Sequence, residues 1–113
     1  MNRQKLHDIL SQVAPVSQLS NRSGVIKKDT LILRKKPSIA SLNSAVGTNV
    51  YWEVMCYVPE NSTVALDTLV DKVITALRKN GVDVTNSFGE DYHDEELKAY
   101  MSTVEIRTPK VIL

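Results

Sequence analysis

Two hydrophobic periods meet at Pro59, and together they fix most of what this chain can become. Before it, residues 49–58 (NVYWEVMCYV) alternate. Val50, Trp52, Val54, Cys56 and Val58 fall on one face, and Tyr51, Glu53, Met55 and Tyr57 on the other. A period of two describes a β-strand with one core face and one amphipathic face. After Pro59, residues 63–80 carry Leu66, Leu69, Val70, Val73, Ile74 and Leu77 on a single stripe, the spacing of an α-helix. Ser62 or Thr63 can cap its start. Arg78 and Lys79 suit the negative end of its dipole, and Asn80-Gly81 supplies a left-handed stop. A strand and a helix with one apolar face each bury those faces against one another, which makes a layered α+β arrangement.

The remaining segments extend that pattern. Leu6, Ile9, Leu10 and Val13 mark a short helix within residues 3–13, stopped by Pro15. Thr30 to Leu33 reads as a strand, and Pro37 ends it or begins the next loop. Residues 82–88 and 97–107 alternate again, with Gly89 and an acidic turn at 90–96 between them. The order α-β-β-α-β-β predicts a single α+β domain over residues 1–113. Its sheet is expected to be four-stranded and mostly antiparallel, with the helices packed on one face and a short flexible tail at 108–113. Trp52, the only tryptophan, is expected beneath the long helix, against Leu69, Val73 or Leu77.

Several function classes find no support. At 42% hydrophobic and 24% charged residues, the composition is that of a globular domain. No apolar run approaches the ~18–20 residues of a bilayer span, and MNRQKLHDIL lacks the apolar centre of a secretory signal. No membrane is expected among the partners. The four glycines are scattered singly, so no phosphate-binding loop is present, and no Gly-x-Ser-x-Gly elbow occurs. Cys56, mid-strand, reads as a small buried core residue; His7 and His93 read as surface histidines without ligand spacing. The chain is therefore expected not to be an enzyme, and no catalytic, cofactor-binding or metal-ligating residue is assigned.

Charge is more informative. The net value is only +1, yet residues 1–36 hold eight bases against two acids, while residues 37–113 hold six bases against eleven acids. Lys27, Lys28, Arg34, Lys35 and Lys36 flank the first strand. Such bases guard an exposed edge, dock on an acidic surface or contact nucleic acid. Glu90, Asp91, Asp94, Glu95 and Glu96 crowd the acidic turn, which reads as a solvated tip or a protein contact. As a cation site it lacks the internal glycine that bends such a loop. Residues 37–48 (PSIASLNSAVGT) carry no charge and few large apolar side chains, namely Ile39, Leu42 and Val46. That combination predicts a long loop that orders against a partner, the alternative being a hairpin loop that folds back on its own domain. These three groups form the candidate subunit or partner interface.

The short N-terminal helix, the basic strand, the long loop, VYWEVMCYVP, the helix LDTLVDKVITALRKNG and the hairpin EDYHDEELKAY into STVEI follow one another in an order that resembles a known family. The chain is similar to the tail terminator, or tail-completion, proteins of long-tailed bacteriophages, which are grouped with small minor capsid and head–tail joining proteins. The similarity covers roughly residues 3–107 and rests on element order and length rather than on signature residues. It implies a structural virion component: a homo-oligomeric ring, usually a hexamer, that caps the tail tube, stops its growth and offers a surface for the filled head. The implied partners are further copies, the tail tube protein and head connector proteins, with DNA passing through the ring lumen. The implied location is the tail or neck of the virion, and the host cytoplasm during assembly. No cofactor is implied. The alternative reading is a bacterial protein-interaction or regulatory α+β domain without catalysis.

Overall fold

Among the described residues, alternation in the sequence becomes a mixed six-stranded sheet with two helices on one face. The computed structural model describes residues 2–17, 26–36, 49–60, 63–87 and 92–109. In chain order the elements are α1 (Arg3–Ser11), β1 (Val16–Ser17), β2 (Thr30–Lys35), β3 (Asn49–Pro59), α2 (Thr63–Lys79), β4 (Asp83–Ser87), β5 (Tyr92–Asp94) and β6 (Ala99–Pro109). The strands lie in the order β1-β2-β3-β6-β4, and β5 also pairs with β6, beside its first residues. All pairs are antiparallel except β1 with β2, which is parallel.

Three expectations change. The sheet has six strands among the described residues rather than four, because β1 and β5 hold two and three residues, too few to show a period. It is mostly antiparallel, as expected; the one parallel pair arises because the chain leaves α1 at Pro15 and lays Val16 beside Leu31 before it returns as β2. Thr108 and Pro109, expected in a flexible tail, belong to β6, and Thr108 is 2% exposed. The acidic stretch is not all turn: Tyr92–Asp94 is β5, and the turn spans residues 95–98. The loop expected at 37–48, the rest of the tail at 110–113 and the capping candidate Ser62 lie outside the described residues.

The core lies between the helices and one face of the sheet. Leu6, Ile9 and Leu10 of α1 join Leu66, Leu69, Val73 and Leu77 of α2, over Leu33, Trp52, Val54, Cys56, Val104 and Ile106 of the strands. Trp52 shares that core with Leu69, Val73 and Leu77. The Asn2 side chain caps α1 by accepting the Lys5 N–H at 2.9 Å. At the far end of α2, Gly81 takes φ 78°, and Val82 N–H returns to the Leu77 carbonyl at 2.9 Å. That is the left-handed closure for which the Asn80-Gly81 pair is suited.

The opposite face of the sheet carries no helix among the described residues, and it divides into two halves. Near the β5–β6 turn a second cluster gathers Ile26, Ile32, Met55, Tyr57 and Ala99, with Leu97 and Met101 against it. Ile26 reaches it because its N–H donates to the Leu97 carbonyl at 2.8 Å. The other half is charged.

Candidate functional site

The charged half of this second face follows from strand register. Glu53 on β3 lies directly opposite Glu105 on β6, and Arg34 on β2 lies opposite Glu53. Two carboxylates facing across an antiparallel pair repel each other unless cations intervene. Arg34 Nη2 meets Glu53 Oε2 at 2.6 Å. Lys36 Nζ meets Glu105 Oε2 at 2.5 Å and Glu53 Oε1 at 3.9 Å. Thr85 Oγ1 donates to Glu105 Oε1 at 2.8 Å. The hydrogen bond from Lys36, and after it that from Thr85, holds the Glu105 carboxyl below its ordinary range. Reciprocally, the bond to Glu105 holds the Lys36 ammonium above its own. One row further on, Arg107 pairs with Asp83 of β4.

Two of the five candidate bases, Arg34 and Lys36, are thus engaged inside the chain. Lys27 and Lys28 are exposed and follow Ile26, which places them at the end of the sheet that carries turn 95–98. Lys35 points to the other face, beside its register partner Trp52. There its Nζ stands 5.9 Å from the indole centroid, and Arg3 Cζ from the start of α1 stands 5.3 Å from the same ring. Among the described residues neither Arg3 nor Lys35 forms an ion pair.

The acidic candidates divide in the same way. Asp94 Oδ1 accepts the Leu97 N–H at 3.0 Å and so fixes the turn. Glu95 and Glu96 are exposed on that turn. His93 is bound rather than free, with Nε2 at 2.6 Å from Glu60 Oε2 and its ring 5.3 Å from Tyr100. Glu90, Asp91, Ile39, Leu42 and Val46 lie outside the described residues. Among the described residues no group of three or more His, Cys, Asp or Glu side chains is arranged to hold a metal ion. Cys56 is fully buried, and burial pushes its thiol up to about 12, the reverse of what a nucleophile requires. An open groove of about 760 Å³ runs between the end of α1 and α2, past Gln12, Val13, Thr68, Lys72, Ala76 and Asn80.

The sequence reading missed Arg3, and it missed Glu53 and Glu105 as the partners that engage Arg34 and Lys36. Glu53 is visible in the sequence on the second face of its strand, but which base stands opposite it depends on register. Comparison with family models, curated proteins and solved structures finds no match to this chain.

Proposed function

We propose that this chain is a structural subunit of a phage virion, a tail terminator that assembles as a ring on the end of the tail tube and presents a surface to the head. The observation that supports this reading best is the order and packing of the long elements. Of the segments on which the family resemblance rests, those within the described residues form α1, β2, β3, α2, β5 and β6, in that order, with the helices over one face of the sheet. The uncommitted charges at Arg3, Lys35, Glu95 and Glu96 add to it, because an assembly subunit needs surfaces that its own fold does not satisfy. Its partners in this reading are further copies, the tail tube protein and head connector proteins, with DNA in transit through the lumen. Its work is assembly rather than catalysis.

The test is tube length. The cognate tail tube protein that this reading requires is assembled with and without this chain, and tube lengths are measured by electron microscopy. Capped tubes that stop growing support the reading. A length distribution unchanged by saturating amounts of the folded chain refutes it. The second reading, an interaction or regulatory domain, draws on the groove between α1 and α2, which is large enough to seat a peptide side chain or short segment. It gains if the chain leaves tubes untouched.

A further inference from the structure

The charged row across β2, β3 and β6 is satisfied within the chain, but two other groups of like charge are not. At one end of the sheet, Arg3 and Lys35 both lean on Trp52, a residue only 4% exposed. The aromatic face attracts each cation, but the two cations repel one another, and neither has a carboxylate partner among the described residues. At the other end, Glu95 and Glu96 stand exposed on a turn held by Asp94 and by Lys98 at φ 49°. Among the described residues they too form no ion pair. Both groups sit on fixed supports, so joining them orders little that is not already ordered.

They cannot meet inside one chain. Trp52 is in register with Ile106, eight residues along β6 from Lys98. At about 3.3 Å per strand residue the two groups are roughly 25 Å apart. A complement on another molecule is therefore required. A polyanion is a poor candidate, because two cations are a small target for it and the neighbouring bases Arg34 and Lys36 are already paired within the chain. The chain's own acidic turn offers two carboxylates for two cations.

We propose that the Arg3–Lys35 cap over Trp52 is a self-association surface that receives Glu95 and Glu96 of a second copy. This rests on the reading of the chain as an assembly subunit. Contact between unlike patches is heterologous, so it leaves a free patch at each end of a pair and propagates until a ring closes.

Charge reversal tests it by sedimentation velocity on the full chain at low salt. Arg3→Glu with Lys35→Glu makes both patches acidic; Glu95→Lys with Glu96→Lys makes both basic. Each double variant alone is expected to associate roughly tenfold more weakly than the parent chain. An equimolar mixture is expected to recover association, because an acidic patch of one variant then meets a basic patch of the other. Circular dichroism melts verify that each variant is folded, and Arg3→Ala with Lys35→Ala serves if the reversal unfolds the chain. The proposal is overturned by a mixture that does not recover, by equal loss on reversing Lys27 and Lys28, or by a parent chain that stays monomeric at about millimolar concentration. If tubes are still capped by a chain whose association ignores these reversals, this surface fails and the tail terminator reading stands. If the chain associates through this surface and has no effect on tubes, the surface stands and the tail terminator reading fails.

Discussion

Trp52 is held in three ways at once. Its ring is buried in the core, its Nε1–H donates to Thr108 Oγ1 at 2.9 Å, and Arg3 and Lys35 cover what is left of its face. Truncation to alanine removes all three and is expected to cost ~3–5 kcal/mol in urea unfolding. Thr108→Val is the more discriminating change, since it keeps the shape and leaves a buried N–H without its partner. It is expected to cost ~1–3 kcal/mol, and a loss near zero would show that the bond contributes nothing. Native Trp52 emission is expected well to the blue of a water-exposed indole. Cys56 gives the second prediction at this scale. With its thiol raised to about 12 by burial, it is expected to ignore a thiol reagent at pH 8 in the native protein and to react at once in denaturant. Both residues are legible in the sequence, because five alternating apolar positions mark the strand face that packs beneath the helices.

At the scale of elements, Lys36 shows what the sequence hides. It reads as one of five bases flanking a strand, yet it is the bridge between two carboxylates on the two central strands. Removing it as Lys36→Met leaves Glu53 and Glu105 facing each other, whereas Glu105→Gln leaves Lys36 beside Glu53. The lysine variant is therefore expected to be the less stable of the two in urea unfolding at pH 7. The pH dependence has a definite sign. The Glu105 carboxyl is lowered in the folded state, so its contribution is present above the ordinary carboxyl value of about 4.3 and is lost as pH falls through the lower folded value. The gap between the Lys36→Met variant and the parent is expected to narrow over that same acid range. A gap that widens on acidification would show that the pair does not stabilise the fold. The long elements are legible because each carries a period over many residues. β1 and β5 are not, because two or three residues have none, and ion pairs across strands are not, because they depend on a register that only the assembled sheet sets.

The whole molecule is organised around β3 and β6, which pair in unbroken register from Asn49 with Pro109 to Pro59 with Ala99. β6 also carries β4 and β5 on its other side, so three strands depend on it. Between β3 and β6 the chain must first make α2 and two further strands. The sheet's centre is thus built from contacts distant in sequence, and such topologies fold slowly, because loop closure precedes the contacts that reward it. Val54 and Val104 are direct partners in that central pair, both fully buried on the helix side. Leu6, equally buried, sits on α1 at the margin of the core. If central pairing is the slow step, Val104→Ala and Val54→Ala are expected to lower the refolding rate. Leu6→Ala is expected chiefly to raise the unfolding rate. Stopped-flow Trp52 fluorescence across a urea series separates the two limbs. A Val104→Ala chain that refolds at the parent rate and loses all its stability through faster unfolding would place β3–β6 pairing after the barrier, and the folding order would then have to begin with the helices.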